Sequence, residues 1–217
     1  ELFSSANISY VKWDMNRNFS DAYSSSLPAY RQGEFFHRYI LGLYEILEKL
    51  TSKFPNILFE SCASGGNRFD LGMLCYMPQI WTSDNTDSVS RLSIQCGTSY
   101  GYPLSCMGAH VSASPHQQTL RSTPIETRFN TAAFGCLGYE MDLTLLSKFD
   151  KNCIQAQVSF YKALRRLFQY GTFYRIMTPF DSNYCVWCVV SDDKKEAVAG
   201  FYQIMARPSH THDVLRL

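Results

Sequence analysis

Two aspartates in this 217-residue chain sit where apolar strands run out. In Tyr10-Val11-Lys12-Trp13-Asp14-Met15-Asn16-Arg17 an extended backbone sends Lys12, Asp14 and Asn16 to one side. In Gln79-Ile80-Trp81-Thr82-Ser83-Asp84-Asn85-Thr86-Asp87, Asp84 follows directly on a short apolar run, whereas Asp87 is placed to cap the next helix. Between these segments, Glu60-Ser61-Cys62-Ala63-Ser64-Gly65-Gly66-Asn67-Arg68-Phe69-Asp70 leads from a strand end into a glycine-bearing loop, where backbone can approach a ligand or take positive φ. Two carboxyl groups converging on one pocket suit cleavage of a glycosidic bond, one attacking or stabilising the anomeric carbon and the other protonating the leaving oxygen. Each motif also has a plainer reading. Lys12 and Asp14 could be a buried pair that only orders a strand. The glycine loop, taken alone, favours a tight β-to-α turn with Arg68 paired to Asp70, and Cys62 a small core residue. Neither the spacing of a P-loop nor that of a dinucleotide fingerprint is present.

These positions need a scaffold, and the surrounding pattern supplies one. Residues 8–13 are short, apolar and β-branched and predict a strand, while 34–54 put Phe36, Tyr39, Ile40, Leu43, Leu47, Leu50 and Phe54 on one helical stripe. Glu45 and Lys49 lie four apart on its wet side, and Pro55 closes the helix. The alternation continues with strands over 57–60, 79–82, 104–107 and 137–141, and with helices over 69–76, 86–96 and 123–136. The last of these helices opens on the capping box Thr123-Pro124-Ile125-Glu126. A long amphipathic helix over about 147–170 has Asp150 three residues after its cap and Gly171 as its stop. Such alternation implies parallel βαβ units, hence an α/β class and part of a TIM (β/α)8 barrel, because eight units need about 250 residues. After Gly171, residues 184–190 alternate, Ser191-Asp192-Asp193-Lys194-Lys195 turns, and 197–205 return, as in an antiparallel hairpin. The expected domains are 1–170, a C-terminal portion of a catalytic barrel, and 171–217, the beginning of an antiparallel β-sandwich domain. With no starting methionine before Glu1 and an abrupt stop at Leu217, the chain reads as truncated at both ends.

Composition narrows the partners. Apolar residues make up 46% and charged residues 18%, enough for a packed core, and a net charge of +1 provides no polycationic surface for nucleic acid or a membrane. No apolar run approaches a membrane span. The eight cysteines are irregularly spaced in apolar contexts and read as reduced thiols, which places the protein in the cytoplasm. Cys185-Val-Trp-Cys188 has the look of a zinc or redox pair, but in a period-2 stretch these two positions face opposite ways. His37, His110, His210 and His212 read as structural or surface residues, and Glu140 and Asp142 as groups that could shape a pocket.

Lys12-Trp13-Asp14-Met15-Asn16-Arg17, the loop from Cys62 to Asp70 and Trp81-Thr82-Ser83-Asp84 together resemble the α-galactosidases of glycoside hydrolase family 36. The similarity continues through Gly108-Ala109-His110-Val111-Ser112, Thr127-Arg128-Phe129-Asn130, Gly138-Tyr139-Glu140-Met141-Asp142-Leu143 and the β segment after Gly171, so it covers nearly the whole chain. One motif alone would be weak evidence; the ordered set is specific. The resemblance implies a retaining enzyme, built here from about barrel strands 4 to 8, that releases terminal α-linked galactose. It implies Asp14 on strand four as nucleophile and Asp84 on strand six as general acid/base. Lys12, Asn16, Cys62, Gly65 and Trp81 are then the substrate-binding set, with Lys12 keeping Asp14 ionised. No metal and no cofactor are implied. The expected partners are a galactoside and, in the full-length parent, further copies of the chain. Asn67 stands where the family commonly has glycine, Ser114-Pro115-His116-Gln117 departs from the family's run, and an acidic pair and a tryptophan that grip the sugar would lie upstream of Glu1. The isolated chain is therefore expected to be inactive. Transglycosylation, or a silent sugar-binding or structural piece, are the alternative readings.

Overall fold

The computed structural model describes residues 2–17, 20–206 and 208, in two compact units. His210 and His212 lie outside the described residues.

The first unit spans residues 1–84 with 106–108. It contains α1 (Leu2–Ser5), β1 (Tyr10–Asp14), a 3₁₀ turn over Ala29–Glu34, α2 (Phe35–Lys53), β2 (Leu58–Cys62), α3 (Leu71–Tyr76) and β3 (Gln79–Trp81). Its core forms where α2 presents Leu43 and Leu47 to Phe59 of β2 and to Met73 and Met77, with Val11, Trp13 and Tyr39 packed around them. On β1 the alternation resolves as the sequence predicts. Val11 and Trp13 turn to this core, leaving Lys12 and Asp14 on the other face. Glu45 and Lys49 pair at 2.5 Å on the wet side of α2. Phe36 departs from the expected stripe: it lies in the first turn of α2, clear of the core, and is 49% exposed.

The second unit spans 85–105 and 109–217. Its elements are α4 (Ser88–Thr98), most of β4 (Met107–Ser112), α5 (Ile125–Ala132), β5 (Cys136–Glu140), α6 (Lys148–Tyr170), β6 (Thr172–Met177), β7 (Tyr184–Val190) and β8 (Ala197–Gln203). Strands β1 to β5 follow one another in sheet order, parallel from β1 through β4, while β6, β7 and β8 form a separate antiparallel sheet. Among the described residues these are the expected parallel βαβ units, a five-stranded sheet where a closed barrel has eight, followed by an antiparallel sheet.

Several expected boundaries shift. The fourth strand begins where the sequence reading ends it, since Leu104–Cys106 is a 3₁₀ turn and β4 runs from Met107 to Ser112. Met107, Ala109 and Val111 are fully buried, and of the positions between them Gly108 is buried too and only His110 is partly exposed, so little polar alternation marks the strand. The capping box at Thr123 does not form. Pro124 is the N-cap of α5 without a side-chain bond, and Thr123 Oγ1 instead accepts from Ser88 Oγ at 3.3 Å. Strand β6 goes unread in the sequence, being joined to α6 by Gly171 alone. A Cβ on Gly171 would stand 2.7 Å from the Leu167 carbonyl oxygen and 2.9 Å from that of Val190, so a larger residue would force this junction apart.

Candidate active site

All seven residues singled out as catalytic or substrate-binding fall in the first unit, at the C-terminal ends of β1, β2 and β3. Parallel register does the positioning. Lys12 pairs with Glu60 and Asp14 with Cys62, so the side chains of alternate residues line up across strands on one face. Asn16, just beyond β1, donates its amide to Asp14 Oδ2 at 2.7 Å and accepts from the Ser64 backbone N–H at 2.7 Å. It thereby ties the Asp14 carboxyl to the loop after β2. Arg68 fastens the same two strand ends by donating to the carbonyls of Trp13 (3.1 Å) and Cys62 (3.2 Å). It does not pair with Asp70. Asp70 caps α3 through Met73 N–H and accepts from the Tyr44 hydroxyl.

Burial raises the Asp14 carboxyl, but hydrogen bonds from the Cys62 thiol, the Asn16 amide and the backbone at Met15, with the charge of Lys12, hold it below its ordinary value. Asp14 is thus kept as an anion, and Lys12 is the smallest of the contributors rather than the main one. Burial, together with the neighbouring Asp14, raises the Cys62 thiol, which stays neutral as a donor.

Asp84 accepts from the Trp81 indole N–H at 3.0 Å. The Trp81 ring also lies 4.3 Å from Lys12 Nζ, so one buried indole touches a group from each strand end. Gly65 has φ +86°, and a Cβ there would stand 2.8 Å from Ser83 Cα. The loop after β2 and the segment leading to Asp84 therefore touch backbone to backbone. Beside Asn16 a cleft of about 320 Å³ opens, lined in part by Met15, Tyr39, Ser64 and Asn67.

The other acidic candidates have local duties. Asp87 caps α4, accepting from Ser90 N–H and Oγ, and is paired with Arg121. Asp142 accepts from Thr144 N–H and Oγ1, and these bonds lower its carboxyl. Glu140 pairs with His110 Nδ1 at 3.3 Å and lines a separate cleft in the second unit with Thr86, Ser112 and His116. Among the described residues, no cluster of three or more His, Cys, Asp or Glu forms a metal site, and no helix is long and apolar enough to cross a membrane. The Cys185 thiol is pushed up to about 12 by burial, and all eight cysteines are free thiols.

Comparison with known proteins fits this geometry. The melibiase family model matches residues 1–171. The chain belongs to the melibiase family. It is 53% identical over 216 residues to α-galactosidase AgaA of Geobacillus stearothermophilus, covering 100% of this chain and 30% of that protein. It is 55% identical over 213 residues to α-galactosidase 1 of Pediococcus pentosaceus, covering 97% of this chain and 29% of that one. The crystal structure of AgaA, a family 36 glycoside hydrolase, superposes with a TM-score of 0.97. AgaA variants have been solved with raffinose and with stachyose. This melibiase-family chain spans about 30% of the length of the curated relatives it matches.

Two residues of the candidate site are not evident in the sequence. Arg68 reads there as part of a tight turn paired with Asp70, and Glu60 only as a strand-end residue, although it precedes Cys62 by two and so shares its strand face. The period-2 pattern that selects Lys12 and Asp14 on β1 selects Glu60 and Cys62 on β2 as well.

Proposed function

We propose that the full-length protein carrying this chain is a retaining α-galactosidase, with Asp14 as nucleophile and Asp84 as general acid/base. Asp14 attacks the anomeric carbon while Asp84 gives a proton to the departing oxygen, forming a covalent β-galactosyl-enzyme. Asp84, now a base, takes a proton from water. The water attacks the same carbon, Asp14 leaves, and two inversions return the α configuration. This requires the two carboxyl groups about 5–5.5 Å apart. Lys12, Asn16, Cys62, Gly65 and Trp81 form the sugar-binding surface. Residues 1–170 are strands four to eight of the barrel, and 171–217 begin a β-sandwich domain. The free thiols support a reducing, cytoplasmic setting.

The observation that carries the reading is the contrast between the two aspartates. Asp14 is held as an anion by Cys62 and Asn16, while Asp84 accepts from the indole N–H of Trp81, the same ring that lies beside Lys12. The raffinose and stachyose complexes of AgaA support terminal α-galactosides as substrates. In the full-length protein, Asp14→Asn should abolish turnover without unfolding the enzyme, and substantial remaining activity would refute the assignment. Asp84→Ala should spare substrates with good leaving groups and slow natural ones, because only the latter need protonation. Equal loss on both would give Asp84 another role.

A further inference from the structure

Lys12, Glu60 and Gln79 stand side by side across three strands, since register pairs Lys12 with Glu60 and Glu60 with Gln79. Glu60 is 2% exposed. A carboxylate so enclosed must find donors or take a proton. The Gln79 amide donates to Oε2 at 3.0 Å; Oε1 has no hydrogen bond and lies 4.0 Å from Lys12 Nζ. The same ammonium is 4.3 Å from the centre of the Trp81 ring. A long flexible side chain is thereby held between a buried carboxylate and an aromatic face.

We infer that Glu60 is a positioning residue that acts through Lys12, its carboxylate holding the ammonium over Trp81 where it can meet the sugar. This rests on the reading of Lys12 as a galactose-binding residue. Glu60 itself touches no substrate in this account. Its charge is conditional, for burial pushes the carboxyl up to about 7, and Lys12, at the outer limit of an ion pair, does not reverse that. The groups facing it are Lys12 on β1, with the Tyr10 hydroxyl on the same Gln79 amide at 3.4 Å, and Gln79 and Trp81 on β3. Cys62 follows on β2, with Asp14 beside it. As pH falls through about 7, Glu60 takes a proton and releases Lys12. KM for a galactoside should then rise on the acid side while kcat changes less.

The test uses the full-length enzyme and a chromogenic α-galactoside. Glu60→Gln should raise KM roughly five- to tenfold at pH 8, leave kcat within about twofold, and remove the rise in KM expected of the parent between pH 8 and pH 6. The same substitution in a Lys12→Met background should add little. A purely structural role would change the yield of folded enzyme but not its KM or pH profile, so an unchanged KM and profile, or full additivity with Lys12→Met, overturns the inference. Should Glu60→Gln give no soluble enzyme, Gln79→Met frees the Glu60 carboxyl without removing it. It is expected to raise KM on the same limb, and no change there is equally fatal. Asp14→Asn separates the two levels. Activity in that variant refutes the site itself, whereas an inactive Asp14→Asn beside a parent-like Glu60→Gln refutes only the role of Glu60.

Discussion

Gly65 shows how one absent methyl group can govern chemistry on a neighbouring strand end. With φ +86° and Ser83 Cα only 2.8 Å from where a Cβ would sit, Gly65→Ala must push back the Thr82–Ser83 backbone that leads to Asp84. Displacements near 1 Å at a reacting group cost about 10²-fold, so kcat with a natural galactoside should fall by that order. Activated substrates, which need Asp84 less, should lose less. Glu60 carries a different expectation, this one about stability. Its folded-state carboxyl sits at about 7, against 4.5 ordinarily, so the native protein keeps a proton that the unfolded chain has lost. The sign follows: the contribution is fully present below pH 4.5 and is lost as pH rises through 7, by at most about 3 kcal/mol. Glu60→Gln, which never ionises, should therefore raise the thermal midpoint relative to the parent more at pH 8 than at pH 5. A midpoint difference that does not change with pH would contradict this. The candidate residues were legible to unequal degrees. Asp14 and Asp84 stand out in the sequence because carboxylates at strand ends have few structural excuses. The partners of Glu60 depend on parallel register between segments 48 residues apart, which no local pattern states.

At the scale of elements, caps decide which aspartates are free for chemistry. Asp70 and Asp87 each accept from the N–H three residues on, and Asp87 also holds Arg121 while 2% exposed. Asp87→Ala would remove a cap and leave Arg121, whose side chain is 43% exposed, to water, so unfolding in urea should show a loss of about 1–2 kcal/mol, with KM unchanged if the enzyme still folds. Asp84→Ala should do the reverse, lowering activity with little effect on stability. Helices α2 and α6 were legible because amphipathic periodicity and punctuation agree: Ser147 Oγ accepts from Asp150 N–H at 3.1 Å, and Gly171 ends α6. Thr123 misled because a capping box needs only residue types in sequence, whereas its hydroxyl is taken by Ser88. Strand β4 is hard to bound from the sequence because all of it but His110 is buried, so the contrast that marks a half-exposed strand is nearly missing.

Among the described residues the parallel sheet has five strands, where a closed barrel uses eight, and in its order β1 and β5 are the terminal strands. Tyr10 and Leu58 pair in register on the same strand face as Lys12 and Glu60, yet they are 44% and 42% exposed. In a closed barrel that face is interior and packed by side chains from other strands. Exposed strand edges and apolar inner positions both favour association. The 217-residue chain expressed alone should therefore bind an apolar dye such as ANS, sediment in a concentration-dependent manner, and show no turnover of a chromogenic α-galactoside. The full-length protein should turn the substrate over and bind little dye. The two halves of this expectation are separable. A monomeric, dye-silent isolated chain without activity would mean that loops blunt the edges while the sugar still lacks groups from other strands. Turnover by the isolated chain would mean that these residues alone grip the galactose, and the assignment of part of the pocket to other barrel strands would be wrong.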